Sequence, residues 1–136
     1  MNESDAAPHF QHVLPAQASS AGEARAFVAR VLVGQVPDRV VGDLRLVVSE
    51  LVSNAVTHGA AATVKVVVDL SDDGWVALEV VGGGDLPPAL SDPGRWAIAP
   101  VDAVSGRGLG IVRALVDEVT TATVDGDVAV RCRMRR

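Results

Sequence analysis

Residues 49–59 read Ser49-Glu50-Leu51-Val52-Ser53-Asn54-Ala55-Val56-Thr57-His58-Gly59. Leu44, Val47, Val48, Leu51, Val52 and Ala55 follow the 3.6-residue period of one buried helical face. Glu50, Asn54 and His58 recur every fourth residue and so form a second stripe beside the apolar one. A helix with a carboxylate, an amide and an imidazole next to its core face decides the fold: it must lie on an aliphatic layer and keep one flank available. Pro37 opens this helix, and Gly59 is expected to end it in the left-handed conformation.

The rest of the chain supplies that layer. The 136 residues are 49% hydrophobic yet contain two Phe, two Trp and no Tyr, a Val/Ala/Leu composition suited to a sheet packed on helices. His9 to Leu14 reads as a short edge strand stopped by Pro15. Ser20-Ala21-Gly22-Glu23 fits a capping box opening a helix that carries Ala24, Phe27, Val28, Val31 and Leu32 and stops at Gly34. Strands follow at 62–70 and 75–81, turned by Asp72-Asp73-Gly74. A third helix is expected over 109–118, with Leu109, Val112, Leu115 and Val116 inward. A last hairpin folds 119–124 onto 127–134 around Asp125-Gly126, a type I′ signal. The stretch 82–108 is rich in Gly and Pro and lacks periodicity, which predicts a lid or binding loop, with a plain disordered excursion as the alternative. Residues 1–8 read as a flexible tail and 9–136 as a single domain. The expected fold is an α/β (α+β) two-layer sandwich: a mixed, mainly antiparallel sheet covered on one face by about three helices.

A net charge of -5 argues against a nucleic-acid partner, which needs a basic face. Arg131, Arg133 and Arg135 alternate with Cys132 and Met134, the solvent side of a strand. The lone Cys132 permits no internal disulfide and builds no zinc site. No run has signal-peptide or membrane-span character, so a cytoplasmic location without membrane association is expected.

Three constellations carry chemistry. A carboxylate at Glu50 accepts a proton from a hydroxyl or water within hydrogen-bond reach. An amide oxygen at Asn54 is a hard neutral ligand suited to Mg²⁺. An ordinary solvated helix face would carry the same residue types, and His58 fits a helix C-terminus, where the dipole favours its charged form. Second, Ser105-Gly106-Arg107-Gly108-Leu109-Gly110 precedes a helical pattern, where glycines admit a phosphate and free amides bind it. This run does not follow a strand, so a dinucleotide fold is not indicated. Third, Gly82-Gly83-Gly84-Asp85 ends a strand and provides a hinge, a close-approach surface or a plain loop.

In this order the three motifs resemble those of the GHKL (Bergerat-fold) ATPases, over about Phe10 to Arg133, and most closely the stand-alone anti-sigma factor serine/threonine kinases. The chain begins with that fold, without a dimerisation or phosphoacceptor helix pair, so a histidine kinase is not expected. The resemblance implies that Glu50 is the general base for an attacking serine hydroxyl or water and that Asn54 coordinates Mg²⁺ on the phosphates of ATP. It also implies nucleotide contacts from Gly83, Asp85, Gly106, Arg107, Gly108, Leu109 and Gly110. The implied partners are a sigma factor and an anti-sigma factor antagonist phosphorylated on serine, with a homodimer implied by the family alone.

One element departs from the pattern. The family's glycine loop opens with an aspartate that accepts a hydrogen bond from the adenine amino group. Counting back from Leu86-Pro87 places it on Val81; counting forward from the strand places it on Gly82. Neither is a carboxylate, and Asp85 stands where the motif has its second glycine. Such a bond is worth roughly 1.5–3 kcal/mol, about ten- to more than a hundredfold in affinity. Either Asp85 or a water replaces it, or the chain is a degenerate module that regulates transcription through protein contacts without ATP turnover.

Overall fold

A computed structural model describes residues 9–59, 61–71, 73–83 and 107–136. The strands β1 (His9–Pro15), β2 (Thr63–Leu70), β3 (Trp75–Gly83), β4 (Glu118–Val124) and β5 (Asp127–Arg135) form one sheet in the order β1-β2-β3-β5-β4. Every pairing in it is antiparallel. The helices α1 (Ser20–Leu32), α2 (Asp38–His58) and α3 (Arg107–Leu115) form the second layer of the expected sandwich. Helix α1 packs on β1 and β2, α2 lies over β2 and β3, and both α1 and α3 pack against α2. The central helix therefore carries the chemistry-bearing stripe between its two neighbours.

The core follows from the two periodicities. Leu44, Val47, Val48, Leu51 and Val52 of α2 are buried against Val64, Val66, Val68 and Leu70 of β2 and Val76, Leu78 and Val80 of β3. Ala24, Phe27, Val28 and Leu32 seat α1 in the same cluster, and Leu109 and Val112 seat α3. The opposite face of the sheet bears the arginines. Arg131 pairs with Asp69 at 3.3 Å, Arg133 pairs with Glu118 at 3.2 Å, and Arg133 and Arg135 both lie over the Trp75 ring. This basic run is thus largely satisfied within the protein. Between the arginines Cys132 points inward and is free; burial pushes its thiol up to about 12. The folded thiol keeps its proton to higher pH than an unfolded one. Its contribution to stability is therefore intact below about pH 9 and falls away as pH rises toward about 12. At pH 8 a maleimide is expected to label the folded chain roughly a hundredfold or more slowly than the unfolded one, since thiolate is the reactive form. Equal labelling rates would contradict the buried placement.

Several local expectations need correction. The capping box does not form: Ser20 lies inside the helix, and no side-chain bond caps Ser19. Instead the buried Ser20 hydroxyl donates to the Pro15 carbonyl at 2.5 Å, which also accepts from the Gln17 amide at 2.9 Å. The serine hydroxyl is thereby turned toward the end of β1, and the Ser20 amide donates to the Gln17 carbonyl at 3.0 Å. Helix α3 stops at Leu115 rather than 118, because Asp117 donates its amide to Arg133 and Glu118 already pairs in β4. Gly34 adopts a left-handed φ of 82° just beyond α1. Gly59 does not: its φ is -84° and its ψ 159°, extended values. What Gly59 supplies is room, since a Cβ there would lie 2.3 Å from the Ala55 carbonyl oxygen and 3.0 Å from that of Gly83. Asp125 and Gly126 both take positive φ, 53° and 82°, as a type I′ turn requires.

Candidate functional site

Glu50 and Asn54 sit one turn apart on α2, both half-buried, beside the fully buried Val47, Val48 and Val52. Glu50 has no ion-pair partner among the described residues. Asn54 is more revealing: its Nδ2 is buried and has no hydrogen-bond partner among the described residues. Whichever way the amide is turned, one polar atom occupies that position. A buried polar group left unsatisfied costs about 1–3 kcal/mol. Such a group calls for an explanation, whether an ordered water, an ion or a ligand.

The residue before Glu50 is tied across the helix pair. Arg25 of α1 donates from Nη1 to the Ser49 hydroxyl at 2.8 Å. The other nitrogen of that guanidinium, Nη2, lies within ordinary contact of Gly22, 3.4 Å from where a Cβ would stand. This clasp fixes α1 against the segment of α2 that carries Glu50. It escapes sequence reasoning because the two residues are far apart in the chain and neither belongs to a motif.

Of the glycine-motif residues, Arg107, Gly108, Leu109 and Gly110 form the first turn of α3, the helix that packs on α2. Leu109 and Gly110 are buried, so Leu109 acts as a core anchor that seats this turn next to the Glu50 and Asn54 helix. The expected lid overlaps the structure only at its margins, where Gly82 and Gly83 close β3 and Arg107 and Gly108 open α3. Asp85 and Gly106 lie outside the described residues. Gly83 is packed against Ala61: a Cβ on it would stand 2.3 Å from the Ala61 Cβ and 2.8 Å from its amide nitrogen.

The strand register settles which residue faces the helices where the family has its aspartate. Val80 is buried under the helices, so Val81 points to the far face and Gly82 points back toward them. A Cβ on Gly82 would lie 3.1 Å from the Ala55 Cβ, beside the residue that follows Asn54. The helix-facing position at the end of β3 is therefore a glycine.

Among the described residues no three His, Cys, Asp or Glu side chains are grouped to hold a metal. Mg²⁺ needs no such cage, because it binds through one or two protein oxygens together with substrate phosphates and water. A single amide oxygen such as that of Asn54 is compatible with that mode.

The chain belongs to the histidine kinase-like ATPase domain family, whose profile matches residues 14–134. No curated protein matches it significantly. Solved structures that share the fold include the following two. The RsbU and RsbW domains of Rv1364c from Mycobacterium tuberculosis are 23% identical with a TM-score of 0.69, covering 94% of this chain and 32% of that one. The chain thus spans about a third of that protein's length. The SiaB-SiaC complex from Pseudomonas aeruginosa is 15% identical with a TM-score of 0.68, covering 92% of this chain and 88% of that one. Among the described residues no helix is long and apolar enough to cross a membrane.

Proposed function

We propose that the protein is an ATP-binding regulator that acts as an anti-sigma factor serine/threonine kinase. It would phosphorylate a serine of an anti-sigma factor antagonist and sequester a sigma factor, in the cytoplasm and as a homodimer. The observation that carries the nucleotide reading is the buried, unpartnered Asn54 amide, on the turn after Glu50 and on the helix that α3 packs against. Membership of a histidine kinase-like ATPase family supports ATP as the ligand. The fold shared with an RsbW domain and with SiaB-SiaC supports protein partners of the partner-switching kind.

Asn54 would hold Mg²⁺ through its amide oxygen, and the amides of the α3 first turn, from Arg107 to Gly110, would hold the phosphates with the positive end of the helix dipole. Bound Mg²⁺ supplies neutralisation of charge on the phosphates. Glu50 would accept the proton of the attacking serine hydroxyl, which is most effective when the carboxylate is held still, as the Arg25–Ser49 clasp would hold its helix. Leu109 would keep the phosphate-binding turn in register with α2.

The test is phosphate transfer from γ-labelled ATP to each anti-sigma factor antagonist of the source organism. Label on a serine of at least one antagonist is the expected result, and no label on any of them removes the kinase assignment. A second reading, a protein-binding module without ATP turnover, is favoured by glycine at position 82; it predicts antagonist or sigma binding with no transfer.

A further inference from the structure

Strand β1 is one edge of the sheet and pairs with β2 on one side only. The ladder shows which of its backbone groups are left over. Ala16 donates its amide to the Ala62 carbonyl at 2.9 Å, and Pro15 stands opposite Thr63, so Ala16 and Ala62 face each other as a hydrogen-bonded pair. Antiparallel ladders alternate, so Leu14, His12 and Phe10 also bond to β2. Pro15, Val13, Gln11 and His9 hold the positions between, with their backbone groups pointing away from the sheet. Pro15 fits that assignment twice: it has no N–H to offer β2, and its carbonyl is taken by the Gln17 amide and the Ser20 hydroxyl. The N–H and C=O groups of His9, Gln11 and Val13 are left, with no partner among the described residues.

Edge strands are ordinarily blunted by charge, by an internal proline or by a bulge. Residues 9–14 contain no Lys, Arg, Asp, Glu or Pro and pair with β2 without a break. Both faces of the strand also expose apolar side chains. Phe10, on the helix side, is 39% exposed, and Val13, on the far side, is 55% exposed.

We infer that β1 is the surface through which two copies of this chain join, strand against strand and antiparallel, about a twofold axis at Gln11. This gives the homodimer of the reading above its interface and rests on that part of the reading alone. A twofold contact needs a strand that complements itself, and the free groups choose the register. With Gln11 opposite the partner's Gln11, His9 meets the partner's Val13, and every free N–H and C=O of both strands is bonded. With the axis at His12 instead, His9 would meet the partner's Pro15, which has no N–H and whose carbonyl is already engaged. In the Gln11 register Phe10 lies beside the partner's His12, a residue whose ring stacks on Phe27 at 5.3 Å within its own chain. Val13 lies beside the partner's His9, a residue held by Asp69 of its own chain. Both exposed apolar side chains gain cover, and no two carboxylates or guanidinium groups are opposed.

Analytical ultracentrifugation of the full chain reads the association. A dimer is expected at about 0.1 mM protein, in keeping with a small interface. A chain that stays monomeric there overturns the inference and the homodimer reading together, and leaves the kinase reading standing. Gln11→Pro removes an N–H that β2 does not use and is expected to weaken the dimer about ten- to a hundredfold, the worth of two hydrogen bonds. Gln11→Lys and Gln11→Glu each set like charges opposite one another across the axis. Each is expected to weaken self-association about two- to fivefold, and an equimolar mixture is expected to favour the mixed dimer over either. A dimer indifferent to all three substitutions overturns the assignment to β1 while leaving the homodimer reading intact. Weakening by both charges without recovery in the mixture overturns the register at Gln11. Because Gln11 is exposed, the charged variants decide the matter even where Gln11→Pro fails to fold.

Discussion

Glu50→Gln is expected to lower phosphate transfer by about a hundred- to ten-thousandfold, the usual worth of a positioned general base. Gln keeps the size and the hydrogen-bonding shape of Glu and removes only the capacity to take a proton. Because Glu50 is half-buried with no ion pair among the described residues, the substitution should leave stability within about 0.5 kcal/mol. Nucleotide affinity should be retained as well. A variant that transfers phosphate at the wild-type rate would remove Glu50 from the chemistry, and one that melts early would make it a structural residue.

Leu44→Ala, on the neighbouring stripe of the same helix, should do the reverse. Leu44 is completely buried in the cluster shared by the helices and the sheet. Truncation of such a leucine costs about 2–5 kcal/mol, from lost burial plus the cavity that remains. For a chain of this length that is a fall in Tm of roughly 7–17 °C. Thermal unfolding followed by circular dichroism reads it directly. A shift of less than about 3 °C would mean that α2 is not packed on the sheet through this stripe. Any variant protein that remains folded should still bind nucleotide, since Leu44 lies on the core-facing stripe and not on that of Glu50 and Asn54.

The contrast between the two stripes explains what was legible in the sequence. Leu44, Val47, Val48, Leu51 and Val52 announce their burial by period alone, and so do Val64, Val66 and Val68 in β2, because burial of one face imposes the repeat. Asp125-Gly126 announces its turn because few residues tolerate two positive φ angles in succession. Features set by tertiary contact were not legible in this way. Ser20 and Glu23 have the spacing of a capping box, but the Pro15 carbonyl competes for the serine hydroxyl. Gly59 has the look of a left-handed terminator, yet its role is to admit the Ala55 and Gly83 carbonyls. For the site, the spacing of Glu50 and Asn54 placed both on one stripe, but only the structure reveals the unpartnered Asn54 amide. The Arg25–Ser49 clasp and the helix-facing direction of Gly82 depend on how α1 and β3 meet α2, which no local pattern encodes.

That unpartnered amide also gives the central claim its most direct test. The wild-type chain and Asn54→Ala are titrated with ATP by calorimetry, each with and without Mg²⁺. The account predicts binding by the wild type that requires Mg²⁺, and a loss of at least about a hundredfold in Asn54→Ala, which removes the metal-bearing oxygen. Without nucleotide the variant should be about as stable as the wild type, because it also removes a buried group that has no partner. Wild-type binding that is indifferent to Mg²⁺, or an Asn54→Ala chain that binds MgATP as tightly as the wild type, would contradict it.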